Sequence, residues 1–196
     1  MIRISWALGL SLAAPIVILA GPDQPEKAID TERSFLTVHV GKTGLLSAAA
    51  HEHWVNAPIA GGTTAADGST PAVRFTVDAR RLSVKPEKGV TDKDRAEVQS
   101  NMQSKVLESN MYPDIVFRST EVRRTGAVVW GVSGDLTLHG VTKPVSVDVT
   151  RQNDAYVGTV RIKQTEFGIQ PIKIGGGVVR VKDVLEIIFR VYTASR

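Results

Sequence analysis

The chain of 196 residues contains no cysteine. No disulfide can staple it, no lipid can be attached to an N-terminal cysteine, and no thiolate can act as nucleophile or metal ligand. Export remains possible, because disulfides are permitted outside the cytosol rather than required. The core must then hold the fold unaided, and a chain of this length is long enough to bury one. Aromatic residues are scarce at 6%, and the net charge of +4 is spread thinly. The densest basic spots, Arg80-Arg81 and Arg123-Arg124, lie beside strand-like sequence and read as a solvated rim. Nucleic-acid binding calls for a basic stripe with interleaved aromatics, and none is present. The mild positive excess favours transient contact with an anionic membrane surface only weakly. Pairing of two copies as a homodimer is compatible with the sequence.

Catalytic signatures are missing too. There is no Gly-x-Ser-x-Gly turn and no glycine-rich phosphate loop before a helix. "IGGGVVR" (174–180) leads into strand-like sequence and reads as a flexible turn. Asp114, Glu121 and Asp135 alternate outward from strands. His139 sits in a turn, where an imidazole more often bonds local backbone than does chemistry. The expectation is a protein that is not an enzyme and needs no cofactor.

One long apolar run exists. It extends from Ile4 to Leu19, follows Arg3 and ends in Ala20-Gly21-Pro22. This is the layout of a secretory signal peptide over residues 1–20, with Ala20 the last residue removed. An uncleaved membrane anchor is the alternative, but spanning takes roughly 20 apolar residues and Pro15 interrupts this run. Residues 21–196 would then form one domain, periplasmic or secreted.

What fills that domain is alternation. "SFLTVHV", "AVRFTVDAR", "VVWGVSGDLTL", "VSVDV", "YVGTVRIKQ" and "VLEIIFRVY" each repeat with period two, the mark of strands with one buried face. Eight strands are expected near 32–40, 45–56, 72–80, 114–122, 127–138, 144–151, 156–164 and 183–193. The stretch 61–71, "GGTTAADGSTP", reads as a loop. "TDKDRAEVQSNMQSKVL" instead spaces Val98, Met102 and Val106 four apart, with Thr91 as N-cap, and predicts one helix over about Asp92 to Leu107. The fold class is therefore all-β, an eight-stranded antiparallel barrel with one short helix packed outside. A two-sheet sandwich is the alternative, which alternation alone does not exclude.

"GDLTLHGVTKPVSVDV" (134–149) is the most specific stretch. Its Leu-Thr-Leu-His-Gly-Val-Thr-Lys-Pro phrase resembles the YceI-like family of secreted lipid-binding proteins. "NMYPDIVFRSTEV" (110–122), "TEFGI" (165–169) and "SFLTVHVGKTG" (34–44) are similar to further segments of that family, in the same order. The resemblance implies a lipocalin-like barrel whose elongated apolar pore holds a polyisoprenoid lipid, such as the tail of an isoprenoid quinone or an isoprenoid alcohol. On the alternating faces, Val38, Phe75, Val77, Phe117, Trp130, Leu136, Ile187 and Phe189 are the candidates to line such a pore; the plainer reading is that they fill a solid core.

"AAAHEHW" (48–54) raises a second possibility, a metal-binding or metal-dependent barrel centred on His51 and His53. On a strand the two rings share a side, but zinc or iron wants a third protein ligand. A short turn around Lys42-Thr43-Gly44 pairs odd positions with even ones. That places the pair on the side of Leu36 and Val38, opposite His39, with Glu32 or Ser34 nearest to His53. The pair reads instead as ligand-contacting, capping one end of the tunnel with Trp54 beside it. In some family members a similar Gly-His-x-His occurs here; in this chain Ala50 replaces the glycine.

Overall fold

The computed structural model describes residues 26–44, 51–65 and 71–194. The expected signal segment 1–20 lies outside them, as do parts of the expected second strand and of the 61–71 loop. The described strands are β1 (Lys27–Ala28), β2 (Phe35–Thr43), β3 (His53–Ala57), β4 (Ile59–Ala65), β5 (Ala72–Asp78), β6 (Ser83–Val84), β7 (Asp114–Arg124), β8 (Val129–Leu138), β9 (Val141–Gln152), β10 (Ala155–Lys163), β11 (Lys173–Ile174) and β12 (Val179–Tyr192).

Eleven of them form one curled path in the order β1-β4-β5-β7-β8-β9-β10-β12-β2-β3-β6, and β11 pairs with β12 beside it. Every named pairing is antiparallel. The expected count of eight is thus corrected: eleven strands form the path of a single curled sheet, and β11 is a twelfth beside it. That single sheet also sets aside the sandwich.

Two physical causes account for the difference. β1, β6 and β11 are two residues long, too short for any periodicity to show. β3 and β4 are separated by Pro58 alone, and a proline has no N–H to give a ladder. On one side of this corner β3 pairs with β2; on the other β4 pairs with β5. One bent run of chain therefore joins distant parts of the path and curls the sheet round on itself. Gly61 to Ala65, expected as loop, belong to β4. Gly62 serves close approach there, since a Cβ would meet the Arg74 carbonyl oxygen at 2.4 Å and Phe75 Cβ at 2.8 Å.

The inner face carries the core. Val55, Ile59, Val77, Phe117, Trp130, Val132, Leu136 and Leu138 are buried in one cluster, with Phe167 and Ile169 of the "TEFGI" segment enclosed almost completely. The outer alternates are polar; Asp114, Glu121 and Asp135 are all exposed.

The helix forms as expected and ends differently. In α1 (Asp92–Asn101) the Thr91 hydroxyl accepts from the Asp94 N–H, which satisfies an orphan donor of the first turn. After Asn101 the backbone widens into a π-helical turn over Met102–Val106, closed by the Leu107 N–H to the Met102 carbonyl at 2.9 Å. Val98, Met102 and Val106 turn to the core, as their spacing predicts. Gln99 and Gln103 tie the helix to the sheet. Gln99 accepts from the Val84 N–H and donates to the Leu82 carbonyl, both at 2.8 Å, and Gln103 donates to the Ala79 and Leu82 carbonyls at 3.1 Å.

The most specific motif is a two-residue hairpin. Leu138 pairs with Val141 across His139 (φ 52°) and Gly140 (φ 73°), the doubly left-handed turn that suits twisted strands. A side chain at Gly140 would meet the Tyr112 ring at 2.9 Å. His139 bonds not to local backbone but to Glu108, Nε2 to Oε2 at 2.9 Å, and lies 4.3 Å from the Tyr112 ring centre. Gly168 would bring a Cβ to 3.9 Å from His139 Nδ1. The motifs around Tyr112, His139 and Gly168 thus meet at one end of the sheet.

Candidate functional site

The curled sheet encloses an elongated cavity of about 520 Å³. Val38, Phe75, Val77, Phe117, Trp130, Leu136, Ile187 and Phe189 all line it, and Val77, Phe117, Trp130 and Leu136 also belong to the buried core. Register explains why they converge. Phe75 lies opposite Phe117, Phe117 opposite Leu136, Ile187 opposite Val38, and Phe189 opposite Leu36, all on one face. The phenyl rings of Phe75 and Phe117 stack 5.4 Å apart, and Trp130 meets Tyr156 edge-on at 5.7 Å.

Sequence reasoning missed part of the wall. Val98, Met102, Val106 and Leu107 of the helical segment face the cavity, so the helix borders the lumen rather than packing outside the sheet. Their spacing was visible; which surface it would meet was not. Val40, Val55, Tyr156 and Leu185 also line it, at positions whose parity with the predicted residues was already legible.

Polar side chains reach the lumen sparingly. His53, Asp94, Glu97, Asn101 and Gln164 gather toward one end, while Thr64 and Tyr156 lie further along. The first group belongs together because the chain runs from β6 past His53 through Glu87 and into α1. Gln164 follows the last rung of β10 and donates to the Lys182 carbonyl at 2.8 Å.

The three residues singled out in "HEHW" part company. His53 stands on the inner face opposite Val40, in the side-parity expected, although neither Glu32 nor Ser34 is its neighbour. The hairpin is longer than expected, because β2 continues to Thr43 against β12 instead of turning back early. Ser34 instead accepts from the Tyr192 N–H at 2.9 Å. His51 precedes β3, is exposed, and is not part of the lining; its ring sits near Gly89. Trp54 points outward, stacked on His39 with ring centres 4.5 Å apart, and takes no part in the lining either.

Around His53 the electrostatics are unbalanced. Its Nδ1 is buried without a hydrogen-bond partner, and Glu87 Oε2 lies 3.8 Å away. Glu87 spends its other oxygen on the Trp54 N–H at 2.8 Å. Burial pushes the His53 imidazole below its ordinary value, Glu87 opposes this, and His51 adds to the depression. Among the described residues no three His, Cys, Asp or Glu side chains come together in a set that could hold a metal ion. His39, the obvious third ligand, faces outward and bonds Glu52 at 2.9 Å.

A YceI-like domain matches the chain over residues 28–192. The chain belongs to the YceI-like family. At lower coverage, a UPF0312 protein of Pseudomonas savastanoi pv. phaseolicola is 31% identical over 120 residues, 56% of this chain and 59% of that one. One from Vibrio parahaemolyticus is 37% identical over 73 residues, 32% of this chain and 39% of that one. The chain thus spans little more than half the length of the curated relatives it matches. Among solved structures, Burkholderia cenocepacia BcnA aligns with a TM-score of 0.60 at 20% identity, covering 85% of this chain and 99% of that one. A polyisoprenoid binding domain from Saccharophagus degradans aligns with a TM-score of 0.57 at 13% identity, covering 86% and 98%. At these identities the likeness shows the fold: YceI-like proteins share this curled, lipocalin-like sheet.

Proposed function

We propose that this YceI-like protein is a periplasmic or secreted binding protein that carries a polyisoprenoid-type lipid in its apolar cavity. The observation that carries this reading is the lumen itself, lined by alternate residues of every long strand and by the helix, with polar groups concentrated toward one end. Its volume falls in the range of about 300–1,000 Å³ that small-ligand sites occupy. A long prenyl chain gains roughly 0.8 kcal/mol per CH₂ withdrawn from water, so an apolar tunnel is what such a cargo needs. The polyisoprenoid binding domain of Saccharophagus degradans, which shares the fold, supports the ligand class. Arg3, the run Ile4–Leu19 and the Ala20-Gly21-Pro22 junction support export.

In this reading the tail lies along Phe75, Phe117, Trp130 and Phe189, and the head group lies toward His53 and Gln164. The imidazole of His53, part of the lining, gives an oxygen-bearing head, a quinone or an alcohol, a polar neighbour at the wall. Organic extraction of protein purified from its native host, followed by mass spectrometry, tests this. Recovery of a prenyl quinone or prenyl alcohol near one per chain is expected. An extract without prenyl lipid, from protein that also fails to take up added prenyl quinone, would refute it.

A further inference from the structure

Two glycines on the inner wall stand beneath aromatic rings. A Cβ at Gly134 on β8 would lie 2.6 Å from Phe117 Cζ, and one at Gly158 on β10 would lie 2.5 Å from Phe189 Cζ. Real side-chain carbons do not approach so closely, so each ring edge occupies space that only glycine leaves open. Phe117 and Phe189 both line the cavity. They stand on opposite walls. From β7 the path runs β8, β9, β10, β12; the other way it runs β5, the bent β4–β3 run, β2, β12, which is the same number of steps. Rings on opposite walls of a narrow lumen obstruct it unless both fold back.

We propose that Gly134 and Gly158 set the bore of the cavity, by giving the Phe117 and Phe189 rings a place to lie against the wall. The inference rests on the lipid-carrier reading and adds which residues decide the chain length that fits. With the rings folded back, the lumen is continuous from the His53 end to the Trp130–Tyr156 end. A methyl at position 158 forces the Phe189 ring inward, because a packed interior has no spare volume to absorb it. Short chains still fit beside the obstruction. Long chains have to pass it and are excluded.

Gly158 is the better position to test. A Cβ at Gly134 would also meet the Arg118 carbonyl oxygen at 2.4 Å, a clash with backbone, whereas beside Gly158 the nearest backbone atom is the Asp148 oxygen at 2.9 Å. The experiment compares binding of farnesol, a short prenyl alcohol, with solanesol, a long one, by native mass spectrometry of the full chain. Wild type should bind both. Gly158→Ala should keep farnesol and weaken solanesol about tenfold or more, about 1.4 kcal/mol. Adding Phe189→Leu to Gly158→Ala should restore solanesol, with the backbone strain at 158 unchanged between the two variants. Phe189→Trp keeps the glycine and enlarges the ring, and should show the same selective loss if Gly158→Ala does not fold. Wild-type selectivity in these single variants would overturn the inference, and so would a folded double variant that stays deficient for solanesol. A wild type that binds neither alcohol would defeat the carrier reading, and this inference with it.

Discussion

His39 and His53 occupy adjacent rungs of the same ladder, since His39 faces Trp54 and Val40 faces His53 across β2 and β3. Their surroundings are opposite. His39 points outward with Glu52 at 2.9 Å, Glu186 at 4.0 Å and an indole stacked on its ring. The hydrogen bond from His39 holds the Glu52 carboxyl below its usual range, with Lys42 and Lys182 pulling the same way. His53 points inward, has no hydrogen bond at Nδ1, and lies among valines. One residue of register separates a satisfied surface network from an unsatisfied polar atom beside an apolar lumen. Outside, the histidine is satisfied by Glu52; inside, one nitrogen of its counterpart is buried and unbonded.

Moving charge to the inner face should have the largest effect. Val55 is 4% exposed on the inner face. Val55→Asp should cost about 3 kcal/mol or more in urea unfolding, because it buries a charge without a partner. A smaller effect of opposite sign is expected two rungs along, on the same face. His53→Leu removes a buried atom that bonds to nothing and should raise stability by about 1 kcal/mol, while weakening retention of an oxygen-bearing head group. A loss of stability would show that His53 is satisfied after all.

The pH dependence sharpens the same contrast. The folded imidazole of His53 holds its proton less tightly than the unfolded one. Below about pH 6.5 the unfolded chain therefore binds the extra proton first. The contribution is intact above that value and is lost as pH falls through the folded, depressed value. Melting temperatures of His53→Leu should accordingly fall less than those of wild type on acidification; identical curves would contradict this. The smallest effect belongs outside. His39→Ala removes the hydrogen bond to Glu52 and a ring stack, and should lower stability to urea only slightly without changing lipid uptake.

Much of the fold was legible because a half-buried strand advertises itself by alternation. The expected strands through Phe75, Phe117, Trp130 and Phe189 exist, and their inner faces are those the pattern picked. Side-parity was legible too, which is why His53 was placed opposite to His39. Register was not. It depended on where β2 leaves β3, and that is decided by the pairing of Lys42 and Thr43 with Val181 and Arg180, far along the chain. Trp54 was misplaced for a related reason: adjacency in sequence puts it beside His53, but alternation puts it on the other face. Strand β4 was hidden by Gly61-Gly62, a pair that reads as a turn although Gly62 marks close packing within the strand. The role of Gly158 was invisible in the same way, since nothing in "YVGTVRIKQ" tells which ring will cover it.

Native mass spectrometry of the purified chain shows whether the cavity carries a prenyl lipid. Expected is a folded protein that carries one prenyl lipid in its cavity. A wild-type chain that shows only its own mass, even after incubation with prenyl quinone or solanesol, would contradict it.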